Sequence, residues 1–277
     1  MRSALRSTVR AALHSTCLFA VLAASVTALP TTAFADAFVL VHGAWHDGSA
    51  WNGVRERLEA TGHTVVAPSM PGRADDGREA SEVTLADYVD TVTAAVTELR
   101  NAAGEPVILV AHSSGAFVVQ EAAPKVADAL ERIVFHQPIA LGDGQAQTDV
   151  IPAEIATGLR TAAEANGSAV PPDEGFVRGA LIAGNTPVEQ DRVLALLVPE
   201  PIALFDTPID AKPFAALDVP VASVRATADT SLPAGSYEAM AEALGATRTV
   251  DIEGGHEALV VQPDAFADAL IEVTADE

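Results

Sequence analysis

The sequence is poor in cysteine and in positive charge. Cys17 is the sole cysteine among 277 residues, so the chain cannot close a disulfide within itself. Its 16 Lys and Arg stand against 38 Asp and Glu, a formal net charge of −22, which makes nucleic acid and anionic membrane surfaces poor partners. Long apolar runs are missing too. The stretch Leu18 to Leu29 falls short of the ~20 residues a spanning helix needs and is interrupted by Ser25 and Thr27. No group of His, Asp and Glu has metal-ligand spacing, and no Gly-rich phosphate loop follows a strand-like segment, so neither a metal nor a cofactor is expected. The sequence has no internal repeat and no low-complexity linker.

Apolar residues make up 49% of the chain. That is enough to bury a substantial core, which sets aside the disordered and fibrous classes. The first residues run from an Arg-bearing stretch through the short apolar segment to Ala33-Phe34-Ala35, an A-x-A pattern. Residues 1–35 therefore read as a secretory signal peptide. Cys17 lies before the apolar segment instead of at the cleavage point, which argues against a lipid-attached terminus. Removing Arg2, Arg6 and Arg10, with no acid, leaves 13 basic against 38 acidic residues, a charge of −25. The exported protein would carry no thiol, no disulfide and no stable membrane insertion, and its core alone would stabilise it. Residues 36–277 suit one α/β domain with an insertion, and the sequence leaves the oligomeric state open.

Short, wholly apolar segments alternate with longer ones of helical spacing. "AFVLVHG" (37–43) and "PVILVAH" (106–112) read as strands buried on both faces. Between them Leu85, Tyr88, Val89, Val92, Val96 and Leu99 mark one stripe of a helix, and Trp51, Val54 and Leu58 mark an earlier one. Further strands are expected at 132–138, 220–227 and 247–253, with helices near 234–244 and 263–272. That order implies a parallel, doubly wound sheet.

Within "VILVAHSSGAFVV" (107–119) two serines stand between a strand and a helix, the setting in which a sharp turn lifts a serine hydroxyl above a sheet. Such a turn needs small residues two before and two after the nucleophile. Ser113 satisfies this with Ala111 and Gly115, whereas Ser114 would place His112 in the crowded position. Both serines also fit simple helix capping. A nucleophilic hydroxyl needs a base, and the base needs an acceptor on its second nitrogen. His256, on the Gly-Gly loop of "DIEGGHEALVVQP", can swing over the sheet edge; His46, His63, His112 and His136 lie in the first loop, at a helix-to-strand turn, in the elbow and near a strand end. For the acid, Asp229 in "SVRATADTSLP" gives the order Ser, Asp, His. Asp143 in "LGDGQ" is the alternative.

Together "FVLVHGAWHDGSAWNGVRERLEATGHTVVAPSMPG", "VILVAHSSG", "RATADTSLP" and "GGHEALVVQPDAFADAL" resemble the α/β-hydrolase superfamily, over essentially all of 37–275. The nearest branch holds plant methylesterases and hydroxynitrile lyases with bacterial esterase-like relatives. The resemblance implies a mostly parallel sheet with a small helical cap inserted at about 141–212. It places the nucleophile on Ser113, the acid on Asp229 and the base on His256, with Ala111 departing from the family's usual Gly. It also implies an oxyanion hole from the backbone N–H groups of Ala44 and Ser114, aimed at charge that exists only near the transition state. Phe176, Leu181, Leu194 and Leu197 would then roof the site. The implied activity is hydrolysis of a small, apolar carboxylic ester through an acyl-enzyme. The alternatives are a hydroxynitrile lyase and a ligand-binding relative with little turnover. Plant lyases of the branch carry Thr where this chain has Gly43, and Lys where it has Glu257, which counts against the lyase.

Overall fold

Strands β1 (Ala37–Val41) and β3 (Val107–His112) have no exposed position along their length, and both run through the middle of one sheet. In the computed structural model, which describes residues 35–73 and 76–275, β1 pairs in parallel with β2 (Thr64–Val66) on one side and β3 on the other. The sheet continues in parallel through β4 (Leu130–His136), β7 (Val221–Ala226) and β8 (Ala246–Ile252), giving the order β2-β1-β3-β4-β7-β8. The parallel, doubly wound sheet expected from the sequence is present. The proposed signal peptide lies outside the described residues apart from Ala35.

Alternate side chains explain why the central strands are apolar throughout. Val39, Val41, Leu109 and Ala111 face one core, while Phe38, Leu40, Ile108 and Val110 face the other. The edge strand β8 differs, alternating exposed and half-buried positions because one face is open and the other only partly covered.

Helix α1 (Asn52–Ala60) contributes Val54 and Leu58 to the second core, and α2 (Leu85–Ala103) lays its apolar stripe on the first. Thr84 caps α2 by accepting from the Asp87 N–H, and Gly104 ends it at φ +78°, a conformation that costs glycine least. Helix α3 (Gly115–Ala122) follows β3 after two residues and is buried nearly all round. The segment between β4 and β7 includes α4 (Ala153–Ala165), α5 (Pro187–Leu194) and an antiparallel ribbon of β5 (Ala169–Val170) and β6 (Glu200–Pro201). Helix α6 (Ser236–Ala243) links β7 to β8, and α7 (Pro263–Thr274) returns to the second core through Phe266, Leu270 and Val273.

Sequence patterning placed strand ends one or two residues late. The expected strand 37–43 stops at Val41, and 132–138 stops at His136, because the following residues leave extended conformation to form site loops.

Candidate active site

The chain runs from β1 to β2 on one side and returns to β3 on the other, so the crevice at their carboxyl ends is a topological switch point, where α/β folds place ligands. Ala44 follows β1 and Ser113 follows β3. Asp229 and His256 follow β7 and β8. All four stand at the same edge of the sheet, which is why residues 212 positions apart in the chain come together.

Ser113 sits in the two-residue turn between β3 and α3 with φ +50°, a left-handed backbone that a side chain seldom adopts. Neighbouring backbone holds it there. Its N–H donates to the His136 carbonyl at 3.1 Å, and its own carbonyl accepts from Ile139 N–H at 3.1 Å and Ala116 N–H at 3.0 Å. The turn has little spare volume. A Cβ on Gly115 would lie 2.6 Å from the His42 carbonyl oxygen, and one on Gly43 would lie 3.0 Å from Ser113 Cβ. Ala111 is fully buried within β3, paired with Val41 and Phe135. The Ser114 hydroxyl is engaged elsewhere, donating to Gln147 Oε1 at 2.9 Å.

Ser113 Oγ lies 3.0 Å from His256 Nε2, and His256 Nδ1 lies 2.9 Å from Asp229 Oδ2. His256 and the Asp229 side chain are buried, while Ser113 is half-buried. A hydroxyl, an imidazole and a carboxylate thus form one hydrogen-bonded line. Asp229 Oδ2 also accepts from Gln137 Nε2 at 2.6 Å, and Oδ1 accepts from the Ser231 N–H at 2.8 Å and hydroxyl at 2.6 Å. Tyr237 OH is 3.2 Å from His256 Nδ1. Burial opposes ionisation of Asp229, but the bonds from His256, Ser231 and Gln137 prevail and hold its carboxyl well below the usual range. Burial also penalises charge on His256, yet the adjacent Asp229 carboxylate lifts its pKa above the ordinary histidine value. Asp143 lies elsewhere, its carboxylate 2.6 Å from Lys212 Nζ on an exposed surface.

The other histidines have structural bonds. His42 donates from Nδ1 to the Gly43 carbonyl at 2.8 Å and accepts the Met70 N–H on Nε2 at 3.1 Å, so it is neutral with both nitrogens used. His112 Nε2 donates to the His256 carbonyl at 3.1 Å, directly supporting the loop that carries the base candidate. Desolvation holds both well below the ordinary histidine pKa and pushes His136 down to about 4. His63 accepts the Asp36 N–H at 3.1 Å near the start of β1. Donor atoms of His112, His256 and Glu257 approach within 4.8 Å of one another, a cluster invisible in the sequence. Both His256 nitrogens in it already face Ser113 and Asp229.

The amide N–H groups of Ala44 and Ser114 have no acceptor among the described residues. Of the residues expected to roof the site, Leu181, Leu194 and Leu197 pack on the second core. Phe176 is 39% exposed, its ring 6.1 Å from that of Trp45. Sequence reasoning missed Gln137, Ser231, Tyr237 and Gln147. The one readable signal was Gln137, a polar residue closing an apolar strand.

Residues 38–269 match the Alpha/beta hydrolase family, and the chain belongs to it. It is 28% identical over 176 residues to a carbendazim hydrolyzing esterase of Nocardioides sp. strain SG-4G, covering 62% of this chain and 63% of that protein. It is 43% identical over 79 residues to salicylic acid-binding protein 2 of Nicotiana tabacum, 28% of this chain and 30% of the other. The matches thus span less than two thirds of these relatives. Among solved structures, an extracellular alpha/beta-hydrolase from a Paenibacillus species superposes with a TM-score of 0.76 at 26% identity, covering 87% of this chain and 100% of that one. Polyneuridine aldehyde esterase, with a TM-score of 0.68 at 18% identity, shares the fold.

Proposed function

We propose that the protein is a serine hydrolase that cleaves a small carboxylic ester, with Ser113 as nucleophile, His256 as general base and Asp229 as the acid that orients it. The observation that carries this reading is the line of contacts at 3.0 Å and 2.9 Å from Ser113 Oγ through His256 to Asp229. In that arrangement His256 Nε2 takes the hydroxyl proton as Oγ attacks the carbonyl carbon, and Nδ1–H stays bonded to Asp229. The tetrahedral oxyanion receives the N–H groups of Ala44 and Ser114. Collapse expels the alcohol, which His256 protonates. Water then attacks the acyl-enzyme by the same route and frees the acid.

Names among the relatives support an ester substrate: carbendazim hydrolyzing esterase, methyl jasmonate esterase 1 of Vitis vinifera and several Arabidopsis methylesterases. The plant lyases' threonine fits this backbone poorly, because any Cβ at position 43 lies 3.0 Å from Ser113 Cβ and His112 Nδ1. We also infer export with loss of residues 1–35. The extracellular Paenibacillus neighbour supports this reading.

Intact-mass analysis after a fluorophosphonate tests the mechanism. One adduct on Ser113 is expected, and Ser113→Ala should lower turnover of an activated ester by on the order of 10⁴-fold. An adduct on Ser114, or turnover surviving Ser113→Ala, would overturn the assignment.

A further inference from the structure

Residues Ala44 to His46 form the turn after β1, and its backbone is tied down on several sides. Trp45 N–H donates to Glu200 Oε2 at 2.8 Å, and the Trp45 carbonyl accepts from Val198 N–H at 2.8 Å. The His46 carbonyl accepts from Arg73 Nε at 3.0 Å, and the Ala44 carbonyl accepts from His46 Nδ1 at 2.9 Å. The Ala44 N–H, the amide assigned above to the oxyanion, has no protein acceptor among the described residues. Trp45 holds φ +59°, a conformation that persists in a residue with a side chain only where its surroundings over-determine it.

The source of that constraint is a buried cluster. Glu200 is 0% exposed and Arg73 is 3% exposed. Arg73 donates to Glu200 Oε1 from both terminal nitrogens at 3.1 Å and to Oε2 at 2.9 Å, and the Tyr88 hydroxyl donates to Oε1. A buried ion pair is a weak source of net stability, but a bidentate guanidinium and carboxylate hold direction well. Here one oxygen of the carboxylate is turned onto the Trp45 amide. Glu200 comes from β6 in the segment inserted between β4 and β7, Arg73 from the loop after β2 and Tyr88 from α2, so three remote parts of the chain converge on one turn.

We propose that Glu200, clamped by Arg73, is a positioning residue for the oxyanion hole: through the Trp45 N–H it locks the 44–46 turn in the strained backbone that presents the Ala44 N–H to the reacting oxygen. The proposal rests on the esterase reading above. It makes catalytic competence conditional on the inserted segment, because the same segment supplies both Glu200 and Val198.

Two variants and a control test it, with p-nitrophenyl acetate as substrate and an aliphatic trifluoromethyl ketone as a probe that forms an oxyanion on the serine. Glu200→Gln removes the charge at constant volume. Glu200→Asp keeps the charge beside Arg73 but withdraws the oxygen from Trp45, so it remains informative if the first variant fails to fold. In the folded variants kcat should fall roughly 10- to 100-fold, less than the 10²- to 10³-fold typical of deleting an oxyanion donor outright, with KM within about twofold. Affinity for the ketone should fall by the same factor as kcat/KM. Arg160→Gln breaks the exposed Arg160–Asp206 pair of the same inserted segment, outside the cluster, and should stay within about threefold. Unchanged kcat and ketone affinity in folded Glu200 variants, a loss confined to KM, or an equal loss in Arg160→Gln would overturn the proposal. An unsubstituted enzyme with neither turnover nor a fluorophosphonate adduct would overturn the esterase reading itself, a different signature.

Discussion

Trp45, Ser113 and Gln137 each have positive φ, at +59°, +50° and +44°, and each lies just beyond a strand of the sheet. Strained residues of this kind cost about 1–3 kcal/mol apiece and concentrate where a side chain or amide must be aimed. Ser113 presents its hydroxyl to His256, and Gln137 donates to Asp229 while accepting the Ala226 N–H at 3.2 Å. The carboxylate of Asp229 is therefore held on both sides. Asp229→Asn should leave the fold intact yet cut kcat by on the order of 10⁴-fold, since an amide in this place stabilises the wrong tautomer of His256. Asp143→Asn should change little, its partner being an exposed lysine. Steady-state rates of the two variants, compared with their circular dichroism, decide the matter; damage from the second alone would move the acid to Asp143. The sequence made Ser113 legible through the small residues around it. Ser231 and Tyr237 were illegible because each acts through an atom that only the folded chain brings near, and Gln137 showed only its polar character after an apolar run.

Helix α3 and the turn that precedes it leave little room for a larger side chain. Gly115 opens α3 with ordinary backbone angles, so its requirement is space and not conformation. The contact that a Cβ would make, 2.6 Å from the His42 carbonyl oxygen, is with backbone that is itself held by β1. Gly115→Ala must therefore push α3 and Ser113 away from the first loop. We expect a loss of about 1–3 kcal/mol, as for other overpacked sites. At this size that lowers Tm by roughly 2–4 °C per kcal/mol. Turnover should fall further than stability, because the Ser114 and Ala44 amides separate. Calorimetry and kinetics on the same preparation test this, and an unaltered Tm would show that the turn can relax.

Across the molecule, several buried histidines are kept neutral, which couples stability to pH. His42, His112 and His136 have pKa values lowered by desolvation, His136 to about 4. Below the unfolded value of about 6.5 the unfolded chain takes up protons that the folded chain refuses, so their contribution is lost as pH falls from there toward the folded values. For His136 alone this amounts to ~3 kcal/mol by pH 4. Relief of repulsion among the excess carboxylates acts in the opposite sense. A difference between two proteins isolates the histidine: Tm should drop less from pH 6.5 to pH 4.5 in His136→Gln than in the parent, and equal drops would contradict the assignment. The other whole-molecule expectation concerns export. Asp36 N–H is bonded to His63 and β1 begins at Ala37, so a cut much beyond Asp36 would remove core strand. N-terminal sequencing of protein from the culture medium should start within a few residues of Asp36, and an intact Met1 on a membrane-bound product would mean an anchor.

The sequence by itself determined the parallel sheet and its buried central strands, because an apolar run without alternation fits best between two helical layers. It determined the elbow as well, since the need for small residues on both sides of a tight turn is local chemistry that Ala111 and Gly115 display. It ranked Asp229 ahead of Asp143 on chain order and resemblance without any distance between the groups, and it could not show that the Ser114 hydroxyl is occupied by Gln147. It gave no sign that Arg73, Tyr88 and Glu200, 127 positions apart from first to last, share one buried cluster. Those facts depend on distances between segments remote in the chain. Only the packing of the inserted segment against the sheet decides them, because hydrogen bonds and ion pairs between such segments leave no periodicity in the sequence.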